Sequence, residues 1–248
     1  MDSSRNTWQT GSVTAVLFDW DFTLAYSLGP NVSHIARTTR LFQAYGVVCT
    51  EAEVAAAQAS LEADIVSGKM TGSLRPQKKR EIIRLYRELL RRLNHPDDSY
   101  EFAYEVYAGY GLLPHYLFDD VLPTLRALQA HNLKLGILSN HSSSVRGTIG
   151  QLLDEIIPQA SVTISEEVGV HKPSKTIFQR AASRLHQEPT RCVYVGDNLQ
   201  VDAEAAVTFG QFAAGIWIDR ADRGAALPLP ENVFRITSLL QLLLFFGR

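Results

Sequence analysis

Cysteine is nearly absent: two residues, Cys49 and Cys192, occur in 248. They form no C-x-x-C pair, so the chain offers no zinc ribbon and no redox dithiol, and two thiols cannot build a disulfide framework. Cys192 opens the apolar run Cys192–Val195 and reads as a buried thiol, so both cysteines are expected free, in a reducing cytoplasm. Charge of one sign is also missing. Lys and Arg total 24 against 26 Asp and Glu, and a net charge of -2 gives no support for a surface devoted to nucleic acid or anionic membrane. Long apolar runs are lacking too. The longest, Leu239–Phe246, falls far short of the ~20 residues of a membrane span and reads as a final amphipathic helix. The opening MDSSRNTWQTGS has no apolar stretch to serve as a secretory signal, and no repeat or low-complexity tract follows. A soluble protein is expected; its oligomeric state is not legible.

What is present is ordinary in amount and informative in order. Hydrophobic residues at 46% and charged residues at 20% exclude wholesale disorder. At ~150 residues per domain, the length fits one large domain or two unequal ones. Val13–Phe18, Leu133–Leu138, Cys192–Val195 and Phe212–Ile218 are apolar on both faces, as parallel strands covered on each side are, and Ser161–Ile164 is a weaker candidate. Helical patterns at Leu122–Ala130, Val145–Glu155, Thr176–Leu185 and Asp202–Phe209 fill the gaps. The alternation predicts an α/β fold with a doubly wound, mostly parallel sheet, whose ligands bind beyond the carboxyl ends of the strands. Between the first two strands lies a long stretch with helical periodicity only. Ala57, Ser60, Leu61, Ala63 and Ile65 share one helix; Ile82, Tyr86, Leu89 and Leu93 trace the apolar face of another, with Pro76 in its first turn. The expected division is a discontinuous core, 13–28 and 116–248, and a smaller all-helical domain, 29–115.

Polar groups cluster where those strands end. Asp19 and Asp21 follow the first strand directly: either Asp21 caps a turn, or a nucleophilic carboxylate stands beside a general acid/base with a divalent cation between them. Ser139 and Asn140 end the second strand, as a helix N-cap or as an oxyanion holder. Lys172 precedes a helix start, where the dipole gives a cation nothing, so either solvent or a nearby anion accounts for it. Asp197 follows Gly196, which permits an unusual turn, and Asp202 suits the N-cap of the next helix. Asp197 would lie beside Asp19 if their strands are neighbours.

Taken in order, the motifs D-x-D-x-T at Asp19–Thr23, Ser139-Asn140, Lys172-Pro173 and G-D-N-x-x-x-D at Gly196–Asp202 resemble the haloacid dehalogenase-like hydrolase superfamily, from about Val13 to Asp219. The helical insertion resembles the cap of the subfamily containing phosphoglycolate phosphatases, beta-phosphoglucomutases and L-2-haloacid dehalogenases. The resemblance implies a Rossmann-like core and a Mg²⁺-dependent phosphatase acting on a small phosphorylated metabolite. It gives Asp19 the nucleophile's role, with an aspartyl-phosphate intermediate, and Asp21 that of general acid and base. Asp19 and Asp197 would bind Mg²⁺ through carboxylates and Asp21 through its carbonyl. Ser139, the amide of Asn140, Thr23 and Lys172 would hold the phosphoryl group, with Asn198 and Asp202 in support.

Relatives often carry Gly where Phe22 stands and Gly-Ala where Ala205-Ala206 stand; neither change removes a reacting group. A phosphomutase of the beta-phosphoglucomutase type, an L-2-haloacid dehalogenase, and a non-catalytic binding protein on the same fold are the alternatives. Asp21 counts against the dehalogenase, and the full set of motifs counts against the non-catalytic protein. A basic run, Arg75, Lys78, Lys79, Arg80, Arg84, Arg87, Arg91 and Arg92, reads as a solvated helix face or a surface that steers anions. His141 is placed to touch substrate.

Overall fold

The computed structural model describes residues 12–246 apart from 31, 75, 77, 223, 225 and 226. The opening segment to Gly11 and Arg75 of the basic run lie outside the described residues. The chain begins with β1 (Ala15–Phe18) and β2 (Ala25–Ser27), then runs through α1 (His34–Ala44), α2 (Glu51–Val66), α3 (Lys79–Arg92) and α4 (Tyr100–Gly109). It continues through β3 (His115–Leu117), α5 (Val121–Ala130), β4 (Lys134–Ser139), α6 (Val145–Leu153), β5 (Val162–Ile164), α7 (Ser165–Val168), α8 (Lys175–Arg184) and β6 (Cys192–Gly196). A π-helical segment, Leu199–Glu204, leads into α9 (Ala205–Thr208), β7 (Ala214–Ile218) and β8 (Val233–Ile236). The 3₁₀ turn Leu239–Leu242 and α10 (Leu243–Phe246) follow.

The α/β architecture is as expected: a six-stranded parallel sheet in the order β5-β4-β1-β6-β7-β8, with α1–α4 as a helical cap insertion. The order reverses about β1, which pairs with β4 on one side and β6 on the other, and this is where such sheets bind ligands. Ala15, Leu17, Cys192 and Tyr194 pack on one face against Ile177, Phe178, Ala181 and Ala182 of α8 and Ala205 and Ala206 of α9. The alternate residues Val16, Phe18, Val193 and Val195 are equally buried, which is why these strands read as unbroken apolar runs.

Four local expectations need correction. β8 was not anticipated, because a four-residue edge strand containing Arg235 carries too little apolar signal. The helix expected from Asp202 begins earlier, as π-helical turns from Leu199, and its N-cap is Asn198, which accepts from the amides of Gln200 and Val201. Pro76 precedes α3, which starts at Lys79, and is not in its first turn. The buried face of α3 is centred on Ile83, Leu85, Leu89 and Leu90, with Ile82, Tyr86 and Leu93 flanking it.

Contacts divide the chain into two compact units. One comprises the chain up to Tyr26, Tyr116–His141 and the chain from Ile149 onward; the other comprises Ser27–His115 and Ser142–Thr148. The helical unit has its own core, in which Leu41, Phe42, Val54 and Leu61 meet Ile83, Leu89, Leu90 and Val106. Cys49 is buried there and Cys192 in the sheet, both free. Among the described residues no helix is long and apolar enough to cross a membrane.

Candidate active site

Parallel register brings three strand ends to nearly one level. Phe18 pairs with Ile137 of β4 and Val195 of β6, and the Asp19 amide donates to the Val195 carbonyl at 2.8 Å. Asp19 therefore leaves the sheet between Ser139, the last residue of β4, and Asp197, the first beyond β6.

Lys172 is the hub of the arrangement. It is 1% exposed, and its ammonium lies 2.7 Å from Asp202 Oδ1, 3.0 Å from Asp19 Oδ1 and 2.8 Å from the Tyr194 hydroxyl. Burial alone would lower the pKa of this lysine, but the charges of Asp19 and Asp202 outweigh it and hold the ammonium protonated above its ordinary range. Burial pushes Asp202 up to about 6 against the pull of Lys172, which still leaves a carboxylate at neutral pH. The environment of Lys172 thus resolves the sequence alternatives in favour of nearby anions.

Asp202 is held at both oxygens, since Oδ2 accepts from the Asn198 amide at 3.0 Å. Gly196 is required by space and not, as expected, by an unusual turn: a Cβ there would lie 2.4 Å from the Asp202 carboxyl. Asn140 clamps the Lys172 backbone from both sides. Its Oδ1 accepts from the Lys172 amide at 2.7 Å, and its Nδ2 donates to the Lys172 carbonyl at 3.0 Å. Its side chain is thereby committed to positioning Lys172.

Asp19 Oδ1 also accepts from the Trp20 amide at 2.8 Å; among the described residues Oδ2 has no such bond. Asp19, Asp197 and Asp202 each place a carboxylate oxygen within 4.8 Å of the others. Burial first, then Asp202 and Asp19, push Asp197 well above the usual carboxylate range. One ammonium cannot neutralise three carboxylates, so this hard-oxygen cluster fits a divalent cation of the Mg²⁺ kind. With Asp202 committed to Lys172 and Asn198, Asp19 and Asp197 are the members able to hold it.

Asp21 lies just beyond, on a tight loop closed by the amides of Leu24 and Ala25 on the Trp20 carbonyl. Its Oδ2 is 3.6 Å from Nε2 of the buried His141, within ion-pair reach though too long for a hydrogen bond. Thr23 is fully buried, and its hydroxyl has no partner among the described residues.

Tyr194 is the site residue that sequence reasoning missed. Its hydroxyl donates to the Leu138 carbonyl at 2.6 Å while accepting from Lys172. A signal was present: a tyrosine inside a strand buried on both faces must find a partner for its hydroxyl.

The family profile of the haloacid dehalogenase-like hydrolases matches residues 13–210. A glyceraldehyde 3-phosphate phosphatase from Methanopyrus kandleri is 30% identical over 220 residues, 82% of this chain and 84% of that protein. An N-acylneuraminate-9-phosphatase from Mus musculus is 28% identical over 129 residues, 51% of this chain and 50% of its own. The crystal structure of a haloacid dehalogenase-like hydrolase from Bacillus subtilis, bound to magnesium, superposes with a TM-score of 0.67. At 19% identity over 95% of this chain and 99% of that one, this match speaks for the fold alone.

Proposed function

Because the chain belongs to the haloacid dehalogenase-like hydrolase family, as one of its phosphatases, we propose that it hydrolyses the phosphate monoester of a small metabolite through an aspartyl-phosphate at Asp19, with Mg²⁺ as cofactor. The relatives named for a triose phosphate and for a 9-phosphorylated acylneuraminate support a small sugar phosphate as substrate. The observation that carries the reading is the buried ammonium of Lys172, shared by Asp19 and Asp202 beside a third carboxylate, Asp197.

In this reading Asp19 attacks phosphorus with Oδ2 while Oδ1 stays on Lys172 and the Trp20 amide. Asp21 gives its proton to the departing ester oxygen and later takes one from the water that cleaves the acyl phosphate. Lys172 neutralises the phosphoryl oxygens, with the hydroxyls of Ser139 and Thr23 and the amide of Asn140 as the remaining donors. Asp19 and Asp197, with the Asp21 carbonyl, would hold Mg²⁺, which when bound would supply positive charge that lets a carboxylate approach a phosphate dianion. Asp202 fixes Lys172, and Asn198 fixes Asp202. The insertion 29–115 serves as the substrate-selecting domain. Two free cysteines accord with a cytoplasmic setting.

The test is a pair of substrates. Asp19→Asn should abolish turnover of both an aryl and an alkyl phosphate. Asp21→Asn should lose roughly 10²–10⁴-fold on the alkyl phosphate, whose leaving group needs a proton, and much less on nitrophenyl phosphate. Equal losses on both substrates, with phosphoryl transfer rate-limiting, would remove Asp21 from the acid's role. Full activity in excess chelator would remove the metal.

A further inference from the structure

We propose that Arg220 is a positioning residue that fixes the loop carrying Asp21, and so sets the efficiency of leaving-group protonation. The proposal rests on the reading of Asp21 as the acid. Arg220 stands two residues beyond β7, and its guanidinium reaches back across nearly the whole chain to the residues that follow Asp21. Nη2 donates to the Thr23 carbonyl at 2.7 Å and Nε to the Phe22 carbonyl at 3.3 Å. The opposite edge is anchored. Nη1 and Nη2 each donate to a different oxygen of Asp120 at 2.9 Å, and the plane stacks on Phe118 with Cζ 3.7 Å from the ring centroid. Asp120 is itself held by the Ser238 hydroxyl and the Leu239 amide, each at 2.8 Å. Although burial acts to raise its pKa, these donors keep Asp120 below the ordinary carboxylate range, and therefore charged at working pH.

The loop has reason to need this support. Phe22 has φ 58°, a left-handed conformation that is unfavourable for a bulky residue and is held only when its surroundings impose it. Its neighbour in sequence is the carboxylic acid that must meet the leaving oxygen, and a misplacement of about 1 Å at such a group can cost ~10²-fold. A guanidinium can grip a carboxylate with one edge, two carbonyls with its remaining donors and a ring with its plane. An ammonium cannot, so lysine preserves the charge at this position and loses the arrangement.

The experiment uses the full chain with Mg²⁺, nitrophenyl phosphate and an alkyl phosphate such as glycerol phosphate. The variants are Arg220→Lys, Arg220→Ala, Asp21→Asn and the double variant Arg220→Lys/Asp21→Asn. Arg220→Lys should lower kcat on the alkyl phosphate by roughly 10–100-fold, lower it several-fold less on the aryl phosphate, and leave KM nearly unchanged. If Arg220→Ala does not fold, Arg220→Lys carries the test alone. In the Asp21→Asn background the substitution should cost clearly less on the alkyl phosphate than it does in the wild type, because the part of its effect that passes through the Asp21 carboxyl is already lost. Asp21→Asn that discriminates between the substrates while Arg220→Lys does not, or losses that simply multiply in the double variant, would overturn the positioning role and leave the acid assignment intact. Asp21→Asn without discrimination would overturn both.

Discussion

Positive charge concentrates in two regions, and the contrast between them separates a site from a surface. In the sheet unit a single lysine, Lys172, is buried with three oxygen partners. In the helical unit α3 carries a dense basic stripe, yet its neighbours neutralise much of it. Arg91 pairs with Glu88 and Asp98, Arg92 with Asp64 and Glu88, and Lys78 with Glu81, while Arg87 donates to the Asp98 carbonyl. Lys79 lies over the Tyr104 ring. Count in sequence favoured α3; burial favours Lys172. An ion taken out of water costs several kcal/mol unless oppositely charged partners surround it, whereas an exposed pair contributes about 0–1 kcal/mol.

The comparison breaks most visibly at Lys172. Lys172→Met should destabilise the fold by about 3–5 kcal/mol, because Asp19 and Asp202 are left without their counter-ion. It should also lower turnover by roughly 10²–10³-fold. Adding Asp202→Asn should recover stability, seen as a partial return of the denaturation midpoint, with no return of activity. Recovery of both would make Lys172 structural.

A cation should sharpen the same contrast through pH. Asp197 and Asp202 titrate above their unfolded values near ~3.9, so their contribution to the stability of the metal-free fold is full below about pH 4. It is lost as pH rises through the folded values, about 6 for Asp202. In chelator, Tm should therefore fall as pH rises over that range. Mg²⁺ needs the deprotonated cluster, so its stabilisation should grow with pH, reaching about 2.7 kcal/mol at a hundred times Kd. Asp197→Asn should flatten both trends. A Mg²⁺ effect on Tm that is independent of pH would count against Asp197 as a ligand.

Tyr194→Phe should have a smaller effect. It removes the donor to the Leu138 carbonyl and one acceptor from Lys172, at about 1–3 kcal/mol for the buried groups left behind. Because Lys172 keeps both carboxylates, turnover should fall by no more than about tenfold, measurable with the aryl phosphate. A loss as large as that of Lys172→Met would give Tyr194 a direct part in the chemistry.

Several of the residues that sequence made legible share one property: they lie at or just beyond the end of a strand buried on both faces. Such a strand is a continuous apolar run, and a carboxylate or serine at its end breaks the pattern visibly, as at Asp19, Ser139 and Asp197. Fold class followed from the same runs. The illegible parts depend on distance along the chain or on space. Arg220 meets Asp120 and Thr23 only after folding, and Tyr194 meets Lys172 and Leu138 in the same way. Gly196 is fixed by the approach of Asp202, which spacing does not report. Asn140 was singled out at the strand end with Ser139, but its clamp on the Lys172 backbone depends on a segment more than thirty residues away in sequence.

The smallest expected effect is at Arg91, and it decides what the basic stripe is for. Its side chain is 55% exposed, and its partners Glu88 and Asp98 come from the same helical unit. Arg91→Ala should therefore cost about 0.2–1 kcal/mol. Part of that cost should disappear near 1 M salt, where the Debye length shrinks to about 3 Å. Turnover of the aryl phosphate should be unchanged, because a cation already neutralised by two carboxylates projects little field. Arg84, exposed on the same helix, gives the complementary measurement. If Arg84→Ala lowers kcat/KM for a doubly charged phosphate ester at low salt and the loss vanishes at high salt, α3 steers anions after all. If kcat/KM is flat in both variants at both ionic strengths, the stripe is a solvated face, and the positive charge that matters for phosphate is the buried lysine.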